Sequence, residues 1–253
     1  MRNKTIKILA AVVSAALLFG GLFLLFHDDI QVKIQEEKIK LFVPDFTLLE
    51  LPEQDNFNQN NSTYIAKKTE ENLTKQVQNL CDNFDNSVGW ICIPETEINY
   101  PVMYSGDNDF YLHRAVDGSY LRVGSIFLDY RCNSDFTSRI NILYGHNMSD
   151  GSMFADVMKF IDSSYFDSHN YGWLTTSNAV YKIDFFSVSQ PENYDDFYDV
   201  NSDVNLWLDD LRANSFIWRN IGISEDDQFI SLSTCTGSEG SSRTVLTGKL
   251  CKI

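Results

Sequence analysis

Clusters of basic residues are missing from this chain. Its 253 residues carry 20 Lys and Arg against 35 Asp and Glu, and past His27 only 17 of the basic residues remain to face all 35 acidic ones. Phosphate binding needs a basic footprint, so nucleic acid is excluded as a partner. The acidic excess favours solubility and weak repulsion from anionic surfaces. Cysteine pairs are missing too. Cys81, Cys92, Cys132, Cys235 and Cys251 stand far apart with no C-x-x-C spacing, so neither a zinc site nor a redox dithiol is indicated, and no cofactor is implied. An odd count leaves at least one thiol outside any internal disulfide, while a bridge between two of the others stays open. Histidine is scarce, with four residues and none after His169, and no internal repeat is visible.

Large apolar side chains are plentiful. A hydrophobic content of 43% with 18 Phe, 12 Tyr and 4 Trp excludes general disorder and supplies one core. The length suits one globular domain with an appendage.

That appendage is N-terminal. Ile8 to Phe26 is a 19-residue run without a charge, preceded by Arg2, Lys4 and Lys7. Its length approaches the roughly 20 residues that cross a hydrocarbon core, and the flanking cations keep the tip cytoplasmic. A cleaved signal peptide is the alternative, but bulky Leu22 to Phe26 lacks a small-residue cleavage site. Residues 1–27 are therefore read as tip and transmembrane anchor, and the rest as extracytoplasmic. Residues 28–62 are polar and broken by Pro44 and Pro52, which suits a stalk, although Leu41, Phe42, Phe46, Leu48, Leu49 and Leu51 are more apolar than a linker needs. Residues 63–253 are read as the globular domain. Its first part, Thr63 to Phe84, repeats Ile65, Leu73, Val77, Leu80 and Phe84 at helical spacing.

After Gly89 the texture becomes mainly β. Eight short runs separated by Gly, Asn, Asp and Ser predict strands over Gly89–Ile93, Tyr100–Tyr104, Gly124–Asp129, Arg139–Gly145, Tyr171–Thr176, Ala179–Ser189, Gln228–Cys235 and Arg243–Lys252. An antiparallel barrel or sandwich is expected. Helices are predicted near Met153–Phe160 and Val204–Ala213, the latter through Val204, Leu206, Trp207, Leu208 and Leu211.

Three residues suggest chemistry together more than singly. Cys235 ends the apolar run from Phe229 and precedes the Gly/Ser-rich segment 236–242, a setting that exposes a thiol to substrate. Alone it could equally be a buried strand cysteine. His146, in Tyr144-Gly145-His146-Asn147-Met148, also follows a strand, and an imidazole with an ordinary pKa of about 6.5 exchanges protons near neutrality. A lone loop histidine is commonly just solvated, and His113 in Tyr111-Leu112-His113-Arg114 stays a second candidate. Arg243 opens the last strand eight residues after Cys235; if the two strands are neighbours, its fork of donors can stabilise an oxyanion beside the thiol. A surface ion pair is its structural alternative.

From about Val88 onward the chain resembles the class B sortases of Gram-positive bacteria. The likeness lies in Gly89-Trp90-Ile91-Cys92-Ile93-Pro94, Tyr100-Pro101-Val102, Asn108-Asp109-Phe110-Tyr111-Leu112 and Gly124 to Arg131. It continues through Tyr144 to Met148, Asp150-Gly151-Ser152-Met153-Phe154, Leu232-Ser233-Thr234-Cys235 and the Arg243 strand. The resemblance implies an eight-stranded sortase-type β-barrel with an N-terminal helix and an extra helix before the cysteine strand, supplied by Val204–Ala213. It implies a cysteine transpeptidase in which Cys235 attacks a C-terminal sorting motif of a secreted protein, His146 protonates the leaving amine and Arg243 holds the oxyanion. The thioester then passes to an amine of a peptidoglycan cross-bridge or to a pilin lysine. By the same likeness Tyr194, Ser233 and Thr236 contact substrate. Two departures are the Gly/Ser-rich segment before Arg243 and the length of the stalk.

Rival readings fit less well. An L,D-transpeptidase keeps its histidines close to the nucleophile, and a papain-like protease puts Cys before His in the chain. A tethered binding module on the same barrel would not turn over, and a thiol-reactive probe separates it from an enzyme.

Overall fold

A computed structural model describes residues 26–49, 59–191, 197–235 and 242–253. The chain divides into two compact units, residues 1–40 and residues 41–253. Of the first, the described part is a helix, α1, over residues 26–40. Among the described residues no helix is long and apolar enough to cross a membrane. The anchor expected over Ile8–Phe26 lies outside them except for Phe26.

The second unit opens with a packed strap. Phe46, in a 3-10 turn over Phe46–Leu49, is buried, and the Phe42 ring meets Phe84 edge-on at 5.2 Å. The Asp45 amide donates to Gln76 Oε1 at 2.8 Å. These contacts account for the excess of apolar residues noted after Leu41. The strap lies on α2, Gln59–Asn83, which begins four residues before the expected Thr63. Its Leu73, Val77 and Leu80 are fully buried, because residues spaced by three and four share one helix face. That face covers β1.

Among the described residues nine strands follow: β1 Ser87–Cys92, β2 Asn99–Met103, β3 Ile126–Leu128, β4 Ile140–Tyr144, β5 Tyr171–Thr175, β6 Val180–Ser189, β7 Ser215–Trp218, β8 Gln228–Cys235 and β9 Arg243–Lys252. Their order is β5-β1-β2-β3-β4-β8-β9-β6-β7, and a β5–β6 pairing closes eight of them into a barrel. All eight expected strands are present and form the eight-stranded barrel that the family resemblance implies, but the sheet is mixed and not purely antiparallel, since β2–β3 and β4–β8 pair in parallel. The ninth, β7, pairs on β6 and was not anticipated. Its Ser215, Phe216, Ile217 and Trp218 show no fully buried face, so the alternation that reveals strands is absent there.

One helical segment differs from expectation. Near Met153–Phe160 the chain forms a 3-10 helix, Ala155–Ile161, followed by a short α3, Ser163–Ser168, capped by the Asp162 carboxylate. The extra helix, α4, spans Val204–Ala213 as expected and is capped by Asp203. Trp207 and Leu211 carry its buried face, whereas Leu206 is exposed. Trp207 rests on Phe229 of β8 with centroids 5.5 Å apart and donates its indole N–H to the Phe197 carbonyl.

Candidate active site

Parallel pairing decides where the candidate residues collect. Most neighbours in the barrel are antiparallel, but β4 runs parallel to β8, from Ile140 beside Phe229 to Tyr144 beside Ser233. Both strands therefore finish at the same end of the barrel. The next pairing, β8 with β9, is antiparallel and sets Cys235 opposite Arg243. His146 lies two residues beyond β4, Cys235 is the last residue of β8 and Arg243 the first of β9. One rim holds all three.

That rim is tied by short hydrogen bonds. The Gly145 amide donates to the Ser233 carbonyl at 3.2 Å, and the buried Thr234 hydroxyl donates to the Gly145 carbonyl at 2.9 Å. Position 145 must be glycine for space, since a Cβ there would sit 2.4 Å from Ile126 Cδ1 and 2.7 Å from the Phe154 ring. The backbone after it folds back on itself: the Phe154 amide donates to the His146 carbonyl at 2.9 Å, and the Met153 amide donates to the Tyr100 hydroxyl at 2.9 Å. The segment that carries His146 is thus held at both ends.

The His146 imidazole is half-buried, with Nε2 2.8 Å from the Leu112 carbonyl. A carbonyl only accepts, so Nε2 carries the proton and Nδ1 is the nitrogen left to exchange one. The ring stacks on His113, centroids 5.6 Å apart and planes 20° from parallel. Arg243 is partly exposed at the opposite side of the β8 terminus.

Beneath the rim lies a polar network that sequence reasoning missed. Asp129, fully buried at the end of β3, accepts from Arg131 Nε at 2.9 Å and Nη2 at 2.7 Å, from the Tyr144 hydroxyl at 2.9 Å and from Asn108 Nδ2 at 3.1 Å. Burial is the largest single influence on this carboxyl and opposes its ionisation, but the bonds from Arg131, Tyr144 and Asn108 together outweigh it and hold it below the usual carboxylate range. Tyr144, the last residue of β4, packs its ring 5.9 Å from Tyr198, whose hydroxyl lies 2.7 Å from Ser233 Oγ. Ser233, expected to touch substrate, is only 1% exposed, and its hydroxyl is engaged by Tyr198. The other two expected substrate contacts, Tyr194 and Thr236, lie outside the described residues. The signal for this network, Asp129-Tyr130-Arg131, was present in the sequence only as part of a family motif.

Cys81, Cys92, Cys132 and Cys251 are not joined in a disulfide. Burial pushes Cys132 up to about 12 and raises Cys81 and Cys251 as well, which disfavours thiolate in all three. Among the described residues no group of three His, Cys, Asp or Glu side chains could hold a metal ion. An open cavity of about 500 Å³ flanks His113 and is lined by Asp107, Asp109, Phe110, Arg114 and Tyr120.

Known proteins share this arrangement of strands. No family model matches the chain. Sortase B of Listeria monocytogenes is 37% identical over 171 residues, spanning 64% of this chain and 69% of that protein. Sortase B of Staphylococcus aureus is 27% identical over 195 residues, spanning 75% and 80%. A solved Bacillus anthracis structure, similar to sortase B, superposes with a TM-score of 0.63 at 37% identity over 71% of this chain and 84% of that one. The chain belongs to the class B sortases. Sortases are transpeptidases, and that is the enzyme class of this protein.

Proposed function

We propose that this sortase works through a thioester on Cys235. The observation that carries the reading is the convergence of the β4, β8 and β9 termini, which brings His146, Cys235 and Arg243 to one barrel end. The Cys235 thiolate attacks the backbone carbonyl carbon of a sorting motif near the C-terminus of a secreted protein. Arg243 donates to the oxyanion of the tetrahedral intermediate. As the C–N bond breaks, protonated His146 gives the Nδ1 proton to the departing amine, leaving the acyl group on sulfur. An acceptor amine attacks the thioester, loses its proton to His146, and the thiolate leaves. The acceptor is a peptidoglycan cross-bridge amine or a pilin lysine. Burial raises the Cys81, Cys132 and Cys251 thiols, which speaks against those three as the nucleophile.

Residues 1–27 hold the enzyme in the membrane with the domain outside, residues 28–62 lead from it, and residues 63–253 carry catalysis. Tyr194, Ser233 and Thr236 border the sorting peptide, with Ser233 acting through its bond to Tyr198.

The test is mass spectrometry of the full chain incubated with a library of C-terminal sorting peptides, with triglycine as a primary-amine acceptor. The wild type should gain an acyl mass on the peptide containing Cys235 and then release a triglycine product. Cys235→Ala should do neither, while Ala at Cys81, Cys92, Cys132 or Cys251 should retain both. Transfer by Cys235→Ala would overturn the mechanism.

A further inference from the structure

We propose that His113 is a positioning residue for His146, setting the plane of its imidazole so that Nδ1 faces the thioester. The inference rests on the reading of His146 as the proton carrier. One hydrogen bond does not fix a histidine ring, because the torsion about Cβ–Cγ is broad and a hydrogen bond tolerates tens of degrees of swing. The bond from Nε2 to the Leu112 carbonyl marks one point of the His146 ring. The His113 face, nearly parallel at 5.6 Å, supplies the second restraint by blocking rotation out of the plane.

Both restraints come from one rigid piece of chain. Leu112 and His113 end a 3-10 turn, Phe110–His113, whose first amides are held by the Asp107 carboxylate. The Leu121 amide donates to the His113 carbonyl at 3.0 Å, and the Ser125 amide donates to Tyr111 at 3.0 Å. His113 Nδ1 lies 3.2 Å from the Arg122 carbonyl and so carries a proton, which orients that ring in turn. Gly124, at φ +62°, permits the close approach: a Cβ there would lie 2.4 Å from the Leu112 oxygen that receives His146. The loop between β2 and β3 thus presents a carbonyl and a flat ring together to His146, two residues beyond β4.

Stacked faces cannot pass a proton, because the ring nitrogens donate and accept in the ring plane. His113 is therefore assigned to orientation and not to relay. A flat ring without nitrogens should serve, and a small side chain should not.

The experiment compares His113→Phe, His113→Ala and His146→Ala in the full chain, using the peptide that acylates Cys235 fastest and triglycine as acceptor. His113 is exposed, so folding should survive each change, and melting temperature and Cys235 alkylation check that it does. His113→Ala should lose about ten- to a hundredfold in kcat with KM for the peptide nearly unchanged, the scale of a misplaced catalytic group. His113→Phe should recover most of that loss. Wild-type kcat in His113→Ala, or equal loss in the Phe and Ala variants, overturns the positioning role. Full activity in His146→Ala would instead remove the mechanism on which it rests.

Discussion

Arg243 shows how one residue can be given two incompatible explanations that a measurement separates. It is partly exposed at the start of β9, opposite Cys235 across an antiparallel pair. A surface ion pair at such a position would be worth about 0–1 kcal/mol of stability and nothing in catalysis. An oxyanion donor behaves the other way, costing about 10²–10³ in rate when removed, roughly 3–4 kcal/mol, with the fold intact. Lysine keeps the charge but lacks the planar fork. Arg243→Lys should therefore be folded, keep Cys235 alkylatable and transfer far more slowly than wild type, with Arg243→Ala slower still or equal. Transfer rate and melting temperature measured together decide the matter, and near-wild-type turnover in both variants returns Arg243 to a surface role.

Between elements, the Asp129 network does the joining, and it makes a pH-dependent prediction. Asp129 at the end of β3 gathers Arg131, Tyr144 of β4 and Asn108 from the preceding loop around one buried carboxylate. Its folded pKa lies below the unfolded value of about 3.9, so it contributes stability above that value and loses it as pH falls through the folded pKa. Asp129→Asn should melt at a lower temperature than wild type at neutral pH. The gap should stay constant down to about pH 5 and narrow below about pH 4. A gap unchanged to pH 2 would show that the charge of Asp129 contributes nothing. Elements were also where sequence reading reached furthest. The eight barrel strands and α4 were legible, because short β-rich runs between Gly, Asn, Asp and Ser breaks, and apolar residues at helical spacing, are local signals. β7 was not, since four half-exposed residues carry no period. The 3-10 turn after Met153 has too few residues for a period to settle its type. Cys235, His146 and Arg243 could be named from strand ends, but the Leu112 carbonyl and the Tyr198 hydroxyl could not. Those contacts depend on loops from distant positions meeting, and nothing local to either residue announces it.

For the whole molecule the question is how an acidic domain reaches an anionic surface. Past His27 the chain carries 17 basic against 35 acidic residues, which gives no electrostatic attraction to a negatively charged membrane or wall. A soluble enzyme of this charge would be weakly repelled from the place where cell-surface substrates emerge. An N-terminal anchor, as proposed above, would overcome that repulsion by covalent continuity alone. The run Ile8–Phe26, preceded by Arg2, Lys4 and Lys7, has the length and flanking charge of an anchor oriented with the domain outside. Beyond it, α1 over residues 26–40 is about 22 Å long at 1.5 Å per residue. The compact unit begins at Leu41, where Phe42 and Phe46 are already packed. Protease added to intact cells should accordingly strip the barrel and leave a small fragment in the membrane fraction. An antibody to residues 1–7 should see that fragment only after the cells are opened. Recovery from the medium of a mature protein beginning near Asp28 would mean that the N-terminal run is a cleaved signal, and the domain would then need another means of reaching the surface.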